Sequence, residues 1–165
     1  MRHLFLFRHA EAVPVSKFSD RQRPLTADGR QAATRVGAFL ALTRQKIDLV
    51  LVSDAARTQE TWKLAQAEFG QAPEVRIEKD LYNAGRGDVM EELRDLPDTA
   101  QAAMIVGHNP AMREFASRFA VAGDSAALAR LQRGFPPCGL AIFNVHADQW
   151  RHLRWDGGEL MLFLT

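Results

Sequence analysis

Three short apolar runs, each closed by polar or charged residues, most constrain how this chain folds. They are residues 4–7, residues 49–52 within Asp48-Leu-Val-Leu-Val-Ser53, and residues 102–106. Each is too short for a helix and shows no polar alternation, as expected of strands covered on both faces. Between the first two, Thr26 stands where an N-cap belongs, and Ala33, Val36, Gly37 and Leu40 follow at helical spacing, predicting a helix over 27–44. A second helix is expected over 55–69, ended by Gly70, then a short strand over 74–78 and a short helix over 88–95. Pro110 suits the first position of a helix running to about Val121. Residues 10–24 read as a loop, and so do residues 122–138, the latter with one or two helical turns. The end of the chain reads as three strands, over 140–145, 150–155 and 159–164, joined by short turns and antiparallel. Alternation of strand and helix over the first two thirds implies parallel crossovers. The expected fold class is α/β: a three-layer α/β/α sandwich with a mostly parallel central sheet, in one domain spanning residues 1–165.

A chain of 165 residues with 47% hydrophobic and 25% charged residues has the balance of a globular protein. It can bury roughly 68–70% of its unfolded surface, so it needs neither disulfide nor metal to fold. A formal net charge of +1 argues against nucleic acid or an anionic membrane as a partner. Cys138 is the lone cysteine, and no run approaches the length of a membrane helix, so the expected location is cytoplasmic.

The chemistry concentrates where the buried strands end. Arg8-His9 follows the first, Ser53 to Arg57 the second, and Gly107-His108-Asn109 the last. Ligands of open parallel sheets bind at the carboxyl ends of strands, so these clusters should meet at one edge, with Arg23 nearby on the loop before the first helix. Arginines facing one another repel unless an anion lies between them, and guanidinium forks match phosphate. A histidine among them should have a lowered pKa and act as a neutral nucleophile.

Four ordered segments carry a resemblance. Arg8-His9-Ala10-Glu11, Arg23-Pro24-Leu25-Thr26 with Gly29, Ser53 with Arg57 and Thr61, and Val106-Gly107-His108-Asn109-Pro110 resemble the motifs of the histidine phosphatase (phosphoglycerate mutase-like) superfamily, in the form of its SixA-type phosphohistidine phosphatases. The resemblance implies that His9 is the phosphorylated nucleophile. It makes Arg8, Arg57 and His108 the phosphate pocket, and Arg23 a further phosphate or substrate contact. Asn109 is a secondary substrate contact, or orients the loop. It implies no cofactor and no metal. The implied partner is a phosphorylated protein, either a phosphotransfer domain or a phosphocarrier. Alternatives are a phosphatase of small phosphomonoesters and a non-catalytic phospho-ligand binding module.

The chain departs from larger members of that superfamily. It has no room for a large cap insertion, and Leu81-Tyr82-Asn83-Ala84-Gly85 holds no carboxylate where they place a general acid. Imidazole is a better leaving group than an alkoxide, so a phosphoramidate substrate tolerates that loss. Asp88 and Glu11 are the remaining candidate acids. Plainer readings exist for several residues. Arg57 can be a helix-surface residue paired with Asp54 or Glu60. Ser53 reads as a strand-end or N-cap residue. His3, His146 and His152 show no metal-ligand spacing, and Trp62, Trp150 and Trp155 read as packing residues. No P-loop is present, and Cys138 lacks the arginine that a cysteine-phosphatase loop requires.

Overall fold

A computed structural model describes residues 1–15 and 18–165. The chain runs β1 (Arg2–Arg8), α1 (Ala27–Thr43), β2 (Leu49–Ser53), α2 (Ala56–Phe69), β3 (Glu74–Glu78), α3 (Arg86–Arg94), β4 (Ala102–Gly107), α4 (Ala111–Phe119), β5 (Ala120–Gly123), α5 (Ser125–Arg133), β6 (Leu140–Val145) and β7 (Gly158–Leu164). The seven strands form one sheet in the order β3-β2-β4-β1-β6-β7-β5. β6 is antiparallel to both of its neighbours, β1 and β7, while the other pairings are parallel.

The period of two along each buried strand builds two cores from one run of apolar residues. Leu4, Leu6, Leu49, Leu51, Ala103, Ile105, Ala141 and Phe143 face one side, where buried residues of α3, α4 and α5 cover them. Phe5, Phe7, Val50, Val52, Met104, Val106, Leu140 and Ile142 face the other, under α1 and α2. This is the α/β/α sandwich with a mostly parallel sheet that the sequence predicts. No helix among the described residues is long and apolar enough to cross a membrane.

Thr26 caps α1 as expected, its side chain accepting from the Gly29 N–H at 3.0 Å. Two glycines of α1 permit close approaches. A Cβ at Gly29 would lie 2.2 Å from the Glu11 carbonyl oxygen, and one at Gly37 would lie 2.1 Å from that of Ala65 in α2. The loop over 10–24 carries local structure. Ala12 and Leu25 form an isolated antiparallel bridge, and Asp20–Gln22 make a 3₁₀ turn. Residues 16–17 of that loop lie outside the described residues.

Three expectations are corrected in the last third. Residues 150–155 are not a strand: Trp150–His152 form a 3₁₀ turn. Trp150 and Leu153, three apart, both turn into the core, and the Trp150 indole N–H donates to the Ala100 carbonyl at 2.7 Å. The helix expected to reach Val121 stops at Phe119, because Ala120–Gly123 pair with β7 as the sheet edge. The expected loop over 122–138 contains the nine-residue α5, capped by Asp124 accepting from the Ala127 N–H at 2.8 Å and anchored by buried Ala127 and Leu131.

The α1–α2 contact yields a test. Gly37→Ala should destabilise the chain by about 1–3 kcal/mol in urea unfolding, the usual cost of overpacking. Leu42→Ala on the exposed face of the same helix should stay within about 0.5 kcal/mol of the parent. Equal midpoints for parent and Gly37→Ala would show that the two helices can separate freely.

Candidate active site

Strand register sets the site. In the β1–β4 pairing Arg8 lies beside Gly107, and in the β2–β4 pairing Val52 lies beside Val106. His9, Ser53 and His108 therefore leave three adjacent parallel strands at one level, at their carboxyl ends. The His9 and His108 ring centroids are 5.3 Å apart. Both histidines and Arg57 are less than a tenth exposed.

Hydrogen bonds lock His9 on both sides of its Cα. Its N–H donates to the Gly107 carbonyl and its carbonyl accepts from Cys138 N–H. The next peptide is held as well, since Ala10 N–H donates 3.0 Å to the Thr61 hydroxyl, which itself donates to the Arg57 carbonyl. The His9 Nδ1 lies 2.7 Å from the Ala10 carbonyl oxygen. A carbonyl only accepts, so Nδ1 carries the proton and Nε2 keeps its lone pair. Burial first, then the positive charges of Arg57, Arg8 and Arg23, lower its pKa to about 4, against the opposing effect of the Ala10 bond.

His108 is held differently. Its Nε2 is 2.7 Å from the Ser53 hydroxyl, and its Nδ1 is buried without a partner. Burial first, then the neighbouring His9 and Arg57, lower its pKa to about 3. Ser53 is thus neither exposed nor an N-cap: Ala55 occupies that position of α2, and the Ser53 hydroxyl supports the histidine.

The arginines donate to carbonyl oxygens as well as to one carboxylate. Arg8 donates to Phe135 O at 2.9 Å. Arg57 does not pair with Asp54 or Glu60, which bind Arg21 and Arg30 respectively. It donates to the Asp20 carbonyl at 2.7 Å and to the Asp20 carboxylate at 3.3 Å. Arg23 donates to Val13 O at 2.6 Å and to the Asp20 carboxylate at 2.9 Å. The Nε atoms of Arg8 and Arg57 are buried without partners.

Asp20 and Tyr82 are the residues that sequence reasoning missed. Tyr82 donates its hydroxyl to the Asp20 carboxylate, and its ring meets that of His108 edge-on at 5.7 Å. The Tyr82 bond first, then Arg23 and Arg57, bring Asp20 to about 2. A carboxylate therefore does stand at this edge, supplied by the loop after β1. The available signal was the spacing of Asp20 three residues before Arg23. Asp88 and Glu11, the acids considered from sequence, serve local structure: Asp88 accepts from Gly85 N–H at 2.8 Å, and Glu11 accepts from the Thr26 hydroxyl at 2.9 Å. Asn109 donates to Phe135 O at 2.8 Å and accepts from Arg113 N–H at 3.3 Å, so both ends of its amide orient the loop and the start of α4. Burial pushes the Cys138 thiol up to about 12, which makes it an unreactive neighbour.

The two histidines predict how stability follows pH. Unfolded, each takes up a proton near pH 6.5; folded, they resist it until about pH 4 and about pH 3. Their contribution is complete above about 6.5 and is lost as pH falls below it, because the unfolded chain then binds the extra protons. The urea midpoint should drop between pH 7 and pH 5, and drop less in His108→Gln. An equal drop in both proteins would remove His108 from that linkage.

Comparison with known proteins gives the family and the fold. The family model of the histidine phosphatase superfamily (branch 1) matches residues 4–96. The uncharacterized protein ML1117 of Mycobacterium leprae is 32% identical over 161 residues, covering 94% of this chain and 97% of that protein. A structure from Nakamurella multipartitia, assigned as the phosphohistidine phosphatase SixA, superposes with a TM-score of 0.87 at 31% identity, covering 99% of this chain and 95% of that one. One from Agrobacterium tumefaciens with the same assignment gives 0.83 at 27% identity, covering 99% and 97%. With its two histidines, Arg8 and Arg57 gathered at the carboxyl ends of β1, β2 and β4, the chain belongs to the histidine phosphatase superfamily, in its SixA-like form.

Proposed function

We propose that the chain is a metal-independent phosphohistidine phosphatase, acting as one domain on phosphohistidine carried by a protein such as a phosphotransfer domain or phosphocarrier. The observation that carries this reading is the His9 tautomer. With Nδ1–H given to the Ala10 carbonyl, the free Nε2 lone pair sits under the positive field of Arg57, Arg8 and Arg23 and is unprotonated at neutral pH.

In the first step Nε2 attacks phosphorus, the P–N bond to the substrate imidazole breaks, and that imidazole leaves with a proton taken from solvent water. The phosphoryl group is now on His9. Positive charge growing on the His9 ring is relieved through the Nδ1–H bond to Ala10. The unpartnered donors of Arg8 and Arg57 match the three equatorial oxygens of the group in flight, and His108, steadied by Ser53, completes the cradle. In the second step water attacks phosphorus, the P–Nε2 bond breaks, and inorganic phosphate leaves. Asp20 holds Arg57 and Arg23 in the resting site, and an arriving phosphoryl group offers those guanidiniums a second anion of the same geometry. The positive charge that a metal ion would otherwise bring comes from arginine. The SixA-type assignment of the structural neighbours and the absence of an acid in the segment over 81–85 favour a phosphoramidate over a phosphomonoester.

Rapid quenching with a radiolabelled phosphohistidine protein tests the reading. The parent should show a transient, acid-labile label that His9→Ala lacks. Arg57→Ala should lose on the order of 10²–10³ in rate. Phosphate release by folded His9→Ala at the parent rate would overturn the mechanism, and turnover of phosphomonoesters alone would overturn the substrate class.

Ser53→Ala reports on the support of His108. One hydrogen bond of about 1–1.5 kcal/mol corresponds to roughly a tenfold fall in kcat. Ser53→Thr, which keeps the hydroxyl, should recover part of it; equal rates in all three proteins would leave Ser53 without a role.

A further inference from the structure

A cavity of about 540 Å³ adjoins the phosphate site, and its wall includes Arg113 of α4, Arg130 and Arg133 of α5, Asn109, Phe135 and Thr165. Two of these residues tie it to the catalytic edge. The Phe135 carbonyl accepts both from Arg8 and from Asn109, which directly follows His108. The cavity and the phosphate pocket therefore share one piece of backbone as a common wall.

The three arginines are exposed, and among the described residues none forms an ion pair with a carboxylate. Arg113 and Arg130 donate only to carbonyl oxygens, those of Gln132 and Phe163. Glu114 is the acidic residue nearest in sequence, and it lines the neighbouring depression with Arg86, Arg113 and Arg118. Arg130 and Arg133 stand in the last turn of α5, where the helix dipole favours cations and lets the fold tolerate the cluster. In a chain of net charge +1, this concentration of unpaired guanidinium beside a phosphate site is a local feature and not a reflection of overall charge.

We propose that this cavity docks an acidic surface of the phosphohistidine-bearing protein, placing carboxylates that flank the phosphohistidine against Arg113, Arg130 and Arg133. The proposal rests on the phosphohistidine reading above. Guanidinium forks bind carboxylates as well as phosphate, and their position fixes which side of the substrate faces His9. Exposed pairs of this kind act on encounter and orientation and are screened by salt, with a Debye length of about 8 Å at 0.15 M.

Two synthetic peptides of equal length test it, each with one phosphohistidine, flanked on both sides by glutamates in one and glutamines in the other. The parent should prefer the glutamate peptide by about tenfold in kcat/KM at low salt, with the difference in KM and shrinking at 0.5 M NaCl. The triple variant R113Q/R130Q/R133Q should melt at a similar temperature, turn over the glutamine peptide at the parent rate, and lose the preference. A parent without preference, or a folded triple variant that keeps it, overturns the docking proposal. If the parent turns over neither peptide, the phosphohistidine reading fails. Docking is then read from fluorescence anisotropy of the unphosphorylated peptides: tighter binding of the glutamate peptide by the parent and not by the variant upholds it, and equal binding sinks it.

Discussion

Crowding of positive charge at the carboxyl edge of the sheet is the constraint on which the rest of the structure depends. Arg57 and Arg8 act on two imidazoles whose rings lie 5.3 Å apart, and Arg23 acts on that of His9 as well. Such a site can exist only if the histidines stay neutral and the guanidiniums are held by dipoles. Burial does the first, and the carbonyls of Phe135, Asp20 and Val13 do the second. One carboxylate, Asp20, offsets part of the charge and is itself held ionised by Tyr82, Arg23 and Arg57.

Each holding group comes from a different part of the chain, so the site is a product of packing. Phe135 comes from the segment leading into β6, Asp20 from the loop between β1 and α1, and Tyr82 from the turn before α3. The loop bearing Asp20 and Arg23 is pinned by the bridge between Ala12 and Leu25, by the Arg23 bond to Val13, and by the close seat of Gly29 on Glu11. Thr61 ties the backbone after His9 to the Arg57 turn of α2, which links the two residues through one hydroxyl. The same economy extends outward: the Phe135 carbonyl that holds Arg8 also holds Asn109 at the wall of the arginine cavity.

How much was legible in the sequence differs along the chain, for physical reasons. The buried parallel strands were legible because continuous apolar runs of that length have few other uses, and α1 because cap and periodicity agree. The last third was not. Residues 150–155 read as a strand, yet Trp150 and Leu153 meet the core through a single tight turn, and the indole donates to the Ala100 carbonyl. Ala120–Gly123 has helix-forming alanines but lies at the sheet edge, where pairing with β7 prevails. Glycines and prolines around α5 masked a helix that the Asp124 cap and the burial of Ala127 and Leu131 sustain.

The sequence by itself determined the layered α/β class, the family and the gathering of His9, His108, Arg8, Arg23 and Arg57 toward one sheet edge, because motif spacing and strand ends are local properties of the chain. Only the tertiary structure decided the His9 tautomer, the support of His108 by Ser53, the entry of Asp20 and Tyr82 into the site, and the arginine cavity behind Asn109. Those features depend on which carbonyl or carboxylate a fold brings within about 3 Å of a given donor. That distance is set by the register of strands and the seating of loops far apart in the chain, and no stretch of residues encodes it alone.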